Sequence, residues 1–267
     1  MFSSGSMARR LMPRLWPGSS RRAVQVLRLW LGPVALLAAS MAAATPPDVV
    51  VSARFIEPTT RYDHAILGDD VEWGALSLTV DPCLGCEGSQ TYRTIIRLPD
   101  THVFEDLEPR LIDGDDGLPL VMVVESSLTK GARLSLYDER GLYAATPFIG
   151  RPHRWLAPIG SADLDGDGWP EVAYIDRPHL AKTLRIWALR DGELVEVARK
   201  AGLTNHRIGE DFITSGIRDC GDGSELVTVD AGWSRIVASR LVDGAISSRD
   251  VGAFDGRSSV DRALGCR

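Results

Sequence analysis

The feature that most constrains the fold of this chain is an internal repeat of about fifty residues. Residues 161–176 and 215–230 share a pattern of acidic residues and glycines followed by a short apolar run, and these two copies are offset by 54 residues. A third copy, residues 113–125, ends 51 residues before the second. A repeat of this length is one supersecondary unit that cannot bury its apolar residues alone, so neighbouring units are expected to pack against each other.

Short apolar runs bounded by Gly, Asp or Pro dominate the chain. Examples are residues 76–80, 120–124 and 226–229, and each repeat continues with a second such run, at 133–137, 184–187 and 235–238. Runs of this kind are typical of strands, and several strands per repeat predict an all-β fold, a β-propeller of four-stranded blades. We expect about five blades, within a range of four to seven. We also expect residues 49–53 to pair into the last blade and close the ring, which would remove exposed strand edges.

The second copy of the repeat has a carboxylate pattern that suits a calcium ion. Three aspartates alternate along the chain before a glycine that permits a sharp turn, and a glutamate follows. Ca²⁺ prefers about six to eight oxygen ligands. The predicted ligands are Asp163, Asp165, Asp167, the carbonyl of Trp169 and Glu171. A helical EF-hand is excluded, because the twelfth loop position is Tyr174 and not a bidentate glutamate. A solvated acidic turn without metal is the alternative.

The other two copies depart from this pattern. In the last copy Ile217 and Gly221 replace two of the four carboxylates, and in the first copy Ile112 and Leu120 replace the first and the last of them. The sequence therefore predicts one good calcium site and two degenerate ones.

These features resemble the FG-GAP and VCBS-type repeat proteins, whose best-known relative is the integrin alpha-subunit propeller. The acidic hairpin at residues 163–171 matches the calcium hairpin of that family in full, and the likeness is clear from about residue 107 to 251. Residues 46–106 fit only by length, as one or two further blades. The resemblance implies a calcium-stabilised propeller that acts as a non-catalytic binding or scaffold module.

Residues 1–44 have the character of a secretory signal peptide. They contain six arginines and no acidic residue, and an apolar run at 29–44 ends in three alanines. We expect cleavage after Ala44, export to the periplasm or the extracellular space, and a propeller domain over residues 45–267. The pair Arg21 and Arg22 favours twin-arginine export only weakly. If the leader is not cleaved, the chain is instead an anchored protein of the cell envelope, and only then is a membrane partner expected.

Charge limits the partners. Six of the 30 basic residues lie in the leader, so 24 basic residues face 36 acidic ones beyond Ala44, a formal net charge of −12. Nucleic acid is therefore not expected as a partner, whereas cations are. We expect a monomer that binds a protein or a carbohydrate.

The four cysteines are expected to form disulfides, because the chain is predicted to be exported. Three pairings are possible in principle. We favour Cys83 with Cys86 as a local link and Cys220 with Cys266 as a tie between the tail and the last repeat. A zinc site made by all four cysteines lacks a second close pair.

The five histidines show no catalytic or metal-binding spacing and are interpreted as surface or turn residues: His64, His102, His153, His179 and His206. The dipeptides at 153–154 and 206–207, each a histidine followed by an arginine, recur at an offset of 53 residues. Arg154 and Arg207, with these histidines, could hold an anion, but repeated structural turns are the favoured interpretation. An extracellular hydrolase of glycans or esters is the alternative function, and a convergent pair of acids with a histidine would favour it.

Overall fold

The computed structural model describes residues 46–84, 86 and 88–267. The predicted signal peptide, its cleavage site and its role in export lie outside these residues. These residues belong to one compact unit. No described helix has the length and apolar character needed to span a bilayer.

The described residues form seventeen strands and one helix. In chain order they are β1 (Val49–Thr59), β2 (Glu72–Asp81), β3 (Tyr92–Arg97), β4 (His102–Phe104), β5 (Arg110–Asp113), β6 (Pro119–Ser127), β7 (Gly131–Asp138), β8 (Gly141–Ala145), β9 (Leu156–Ala162), β10 (Glu171–Asp176), β11 (Thr183–Arg190), β12 (Glu193–Ala201), β13 (Leu203–Thr204), β14 (Gly216–Asp219), β15 (Ser224–Asp230), β16 (Arg235–Val242), β17 (Ala245–Ala253) and α1 (Arg257–Leu264).

The strands form three antiparallel sheets. The first has eight strands in the order β1-β2-β4-β6-β7-β8, with β3 paired to β2 and β5 to β6. The second is the four-stranded meander β12-β11-β10-β9. The third runs β13-β15-β16-β17, with β14 paired to β15. The fold is therefore all-β, as predicted.

Each repeat found in the sequence is one four-stranded antiparallel meander: β5–β8, β9–β12 and β14–β17. The first strands of neighbouring meanders touch, since β9 contacts both β5 and β14. Their last strands also touch, since β12 contacts β8 and β17. Apolar side chains fill the space between the sheets, so each repeat covers the face that its neighbour would otherwise expose.

A ring of about five blades is not confirmed. The first sheet curls into a half-barrel, so that β1 contacts β5 and β6. The expectation that residues 49–53 pair into the last sheet was wrong, because β1 pairs with β2, with Val50 opposite Val80. The pairing runs along the whole of β1, from Val49 opposite Asp81 to Thr59 opposite Glu72.

The helix α1 covers the outer face of the last sheet. Val260 and Ala263 pack against Val227, Val229 and Ile236. The helix therefore buries apolar side chains on this face of the sheet. This helix was not predicted from the sequence.

Both favoured cysteine pairs lie at disulfide distance. The Cα atoms of Cys83 and Cys86 are 5.5 Å apart in the turn after β2, and those of Cys220 and Cys266 are 5.8 Å apart. The second pair joins the end of β14 to the segment after α1. Two disulfides are compatible with an exported protein.

Candidate functional site

The acidic hairpin at residues 163–170 connects β9 to β10. Glu171 pairs with Ala162, so Asp163 and Glu171 lie together at the mouth of the loop. Gly166 and Gly168 have left-handed backbones, with φ of 84° and 89°, which glycine adopts without strain. Their N–H groups donate to the two oxygens of Asp163 at 2.7 and 3.0 Å. The glycines therefore curl the loop around this carboxylate.

Three of the five predicted ligands come together. Carboxylate oxygens of Asp163, Asp165 and Glu171 lie within 4.8 Å of one another. The two aspartates are exposed, whereas Glu171 is fully buried and accepts a hydrogen bond from the N–H of Leu164 at 2.9 Å. Burial raises the pKa of Glu171, and the charge of Asp165 acts in the same direction. A cation among these oxygens would offset both effects.

Arg190, at the end of β11, supplies the nearest positive charge. Its guanidinium donates to Asp167 at 2.6 Å and to Glu171 at 3.1 Å. Asp167 therefore lies in an ion pair and not in the triad. Trp169 is 45% exposed, and its ring centre is 5.9 Å from the Arg190 guanidinium carbon. That the carbonyl of Trp169 is a ligand remains a prediction.

The donor set of the triad fits a hard cation. All of its ligand atoms are carboxylate oxygens, the type that Ca²⁺ and Mg²⁺ take, with no nitrogen or sulfur among them. The triad could therefore hold a metal ion, although its geometry does not by itself select calcium.

Strand register corrects the alignment of the three hairpins. Asp113 pairs with Pro119 and Asp219 with Ser224, each directly beyond the pair that corresponds to Ala162 and Glu171. The equivalents of Asp163 are therefore these two aspartates, and not Ile112 and Ile217. The loops of the first and last copies are one and two residues shorter, and an alignment without gaps hid this.

The last hairpin keeps the same turn, but arginine side chains balance the charge of its buried glutamate. Asp219 accepts the N–H groups of Gly221 and Gly223, as Asp163 accepts those of its two glycines. Glu225, the equivalent of Glu171, is fully buried and contacts three arginines: Arg218, Arg240 and Arg249. Burial alone would raise the pKa of Glu225, but these guanidinium groups hold it below its usual value.

A second polar site lies at the other end of the sheets. The loop after β10 begins beyond Asp176, whereas the acidic hairpin precedes β10, so the two sites flank opposite ends of this strand. A cavity of about 340 Å³ opens there, and it is lined by three imidazoles, His64, His153 and His179. His206 lies beside it, 5.2 Å from His179 between ring centres. The structure thus gathers four histidines that were interpreted as scattered.

Two of these histidines bind carboxylates. Nδ1 of His64 is 2.5 Å from a side-chain oxygen of Glu105, which is fully buried and also accepts a hydrogen bond from Ser126. Nε2 of His153 is 2.9 Å from Asp63, and this hydrogen bond lowers the pKa of Asp63. Each imidazole therefore has one nitrogen engaged as a donor.

The other two histidines are joined by a hydrogen bond. His206 Nε2 donates to the carbonyl of Glu210 at 2.9 Å, so its Nδ1 accepts the hydrogen bond from His179 Nε2 at 3.1 Å. Burial lowers the pKa of both rings, that of His179 to about 4, and the neighbouring His206 adds to the shift at His179. This chain of hydrogen bonds requires His206 to be neutral, and burial favours the neutral form of His179 as well.

A buried acid stands near this cluster. Burial, together with the charge of Glu105, raises the pKa of Glu72 to about 9. This shift favours the protonated form of Glu72 at neutral pH.

The two histidine–arginine dipeptides do not form a joint anion site. Trp155 packs against His206, at 4.9 Å between ring centres, and Arg154 lines the cavity. Arg207 instead lies 4.1 Å over the ring of Trp233. The 53-residue offset was the one sequence signal for this cluster, because the other histidines belong to loops that are distant in the chain.

Comparison with known proteins does not assign either site to a family. No family model matches the chain, and no curated protein or solved structure matches it. The function must therefore be inferred from the geometry of the sites themselves.

Proposed function

We propose that this protein is an exported, calcium-stabilised β-propeller of the FG-GAP and VCBS repeat type that acts as a non-catalytic binding or scaffold module. The observation that carries the proposal is the contrast between the glutamates that begin β10 and β15. Glu225 is balanced by three arginines, whereas Glu171 shares a single arginine with Asp167 and lies beside two further carboxylates. Glu171 and its neighbouring carboxylates therefore have less compensating positive charge than Glu225 has, and a bound cation would supply the difference.

The propeller architecture is supported by the arrangement of the repeats. Three four-stranded meanders follow one another, and first strand touches first strand while last strand touches last strand. Blades around an axis have this relation, because each sheet packs its face on the next. Strands β1 to β4, which belong to the half-barrel of the first sheet, lie where regular blades were expected before β5.

The calcium assignment is supported by the ligand type and by the loop. Three carboxylates converge where two glycines with positive φ curl the chain, and all the donor atoms are oxygens. An ion there would stabilise the hairpin between β9 and β10, and its role would be structural.

The test is a thermal unfolding experiment on the full chain. With calcium at about 100 times its dissociation constant, a site present only in the folded state adds about 2.7 kcal/mol of stability. We expect calcium to raise the melting temperature and EGTA to lower it, with magnesium much less effective. An unchanged melting temperature across calcium and EGTA would contradict the calcium assignment.

A propeller-based hydrolase of extracellular glycans or esters is the second candidate, because buried Glu105 binds His64 and its charge helps to raise the pKa of buried Glu72. The pattern offers a protonated acid and a carboxylate that orients an imidazole. Assays with p-nitrophenyl acetate and p-nitrophenyl glycosides test it. Turnover that disappears in Glu105→Gln, with folding kept, would support the hydrolase over the binding module.

A further inference from the structure

We propose that the histidine-lined cavity contains a second metal site, in which His64 and His153 bind a borderline first-row divalent cation of the Zn²⁺ class. This site is chemically and spatially separate from the acidic hairpin. The inference is compatible with the binding role proposed above but does not depend on calcium.

The hydrogen bonds leave one nitrogen of each ring for a metal. His64 donates Nδ1–H to Glu105, and His153 donates Nε2–H to Asp63. A neutral imidazole has a single N–H, so His64 Nε2 and His153 Nδ1 carry lone pairs. Histidine ligands in metal sites ordinarily donate their other N–H to a carboxylate or a carbonyl, which fixes the tautomer and increases ligand basicity. Both rings have this arrangement.

The spacing of the rings agrees with a shared ion. The centres of the His64 and His153 rings are 5.3 Å apart, with an angle of 52° between the ring planes. Two imidazoles bound to one tetrahedral zinc ion, with Zn–N bonds of about 2.0–2.1 Å, place their ring centres roughly 5 Å apart. The observed distance between the ring centres matches this value.

The site has two protein ligands and open positions. Within the described part of the chain, the acidic triad is the only set of three ligand atoms within 4.8 Å of one another. His179 lines the same cavity but does not complete such a set. Solvent in the cavity of about 340 Å³ would supply the remaining ligands, as in zinc sites that keep an exchangeable position.

Neighbouring groups hold His153 in place. The ring of Tyr62 stacks on it, with centres 5.1 Å apart and an angle of 15°, and the Tyr62 hydroxyl accepts the His153 N–H at 2.8 Å. The φ of His153 is 51°, a left-handed value that costs free energy outside glycine and persists only where the surroundings impose it. Tyr62 therefore fixes both the ring and the backbone N–H of His153.

The charges near the two rings favour a cation over an anion. Glu105 and Asp63 each lie directly behind one of the imidazoles. Arg177 is paired with Asp176. Arg154 has no carboxylate partner among the described residues and donates to the His153 carbonyl, so the two carboxylates outnumber the one guanidinium that has no carboxylate partner. Imidazole nitrogens suit Zn²⁺ and Cu²⁺, whereas Ca²⁺ takes oxygen ligands.

The experiment is a zinc titration of the full chain by isothermal calorimetry, in saturating calcium so that the acidic hairpin is occupied. We expect one zinc ion per chain and a loss of affinity of at least tenfold in His64→Ala and in His153→Ala. His102→Ala is the matched control, because His102 packs on Phe148 outside the cavity, and it should leave zinc affinity unchanged.

A second variant protects the test against misfolding. The Asp63 side chain is 91% exposed, so Asp63→Asn leaves the core intact, yet it weakens the group that orients His153. We expect it to reduce zinc affinity by about tenfold. Absence of zinc binding by the unmodified chain, or equal losses in the His102 and His153 variants, would overturn the proposal. The calcium response is measured separately. A negative zinc result would therefore not contradict the calcium site in the acidic hairpin, and a negative calcium result would not contradict the zinc site.

Discussion

Glu171 and Glu225 occupy the same register position in consecutive repeats, at the start of β10 and β15, and both are fully buried. Three guanidinium groups surround Glu225, and its pKa is lowered, whereas the pKa of Glu171 is raised by burial. A buried carboxylate without enough compensating charge is costly, and proteins relieve it with paired groups or with a metal. The two repeats therefore surround an equivalent buried glutamate with different amounts of positive charge.

The aspartates that open the two hairpins provide a matched pair of variants. Asp163 and Asp219 each accept two glycine N–H groups, so either substitution by Asn disturbs the turn to a similar degree. We expect Asp163→Asn to reduce calcium affinity at least tenfold, because a charged oxygen ligand is lost. Asp219→Asn should leave the calcium-induced rise in melting temperature intact. Equal loss in both variants would point to the turn and not to an ion.

Arg190 is expected to compete with the cation. Its guanidinium binds Asp167 and Glu171, and a unit charge about 4 Å away in an exposed setting contributes about 1 kcal/mol. Arg190→Gln should therefore raise calcium affinity about fivefold and lower stability in EGTA. Arg199→Gln is the control, since Arg199 is 66% exposed and pairs with Glu196. Calorimetric titration measures both, and weaker calcium binding by Arg190→Gln would contradict the competition.

The raised pKa of Glu72 predicts that the folded protein becomes less stable as pH rises. Its folded-state pKa is about 9, above the ordinary value of 4.5, so the folded protein holds a proton that the unfolded chain releases. This contribution is complete below pH 4.5 and disappears progressively as pH rises towards 9. Glu72→Gln mimics the protonated side chain and should raise the melting temperature by about 4 °C or more at pH 8, with little effect at pH 4. Melting curves of exposed Glu193→Gln give the baseline, and a Glu72→Gln effect independent of pH would refute the assignment.

The two cysteine pairs are expected to differ in their contribution to stability. The link between Cys220 and Cys266 closes a loop with a sequence separation of 46 and ties the segment after α1 to the last sheet. Replacing both by serine should lower the free energy of unfolding by about 2–4 kcal/mol, because a long loop is released in the unfolded state. The separation of Cys83 and Cys86 is 3, so the same replacement there should matter less. Urea unfolding compares the two double variants, and equal losses would argue against the chain-entropy explanation.

The parts of the molecule that follow from local sequence were predictable. Strands in each repeat and the hairpin at residues 163–171 were expected, because turn residues and apolar periodicity act over a few positions. The helix α1 was missed, since eight residues carry too short a periodic pattern to stand out. The pairing of β1 was predicted wrongly because strand partners depend on the whole sheet and not on the strand itself.

The sequence by itself determined that this chain repeats, that its fold is all-β and that one hairpin concentrates carboxylates. Only the tertiary structure decided which carboxylates converge, with Asp167 drawn to Arg190 and the triad left to the other three. It also decided that His64, His153, His179 and His206 share one end of the sheets, although they come from four separate loops. The physical reason is range: a turn is fixed by neighbours along the chain, whereas a cavity is assembled by packing between distant segments, and its balance of charge exists only after they meet.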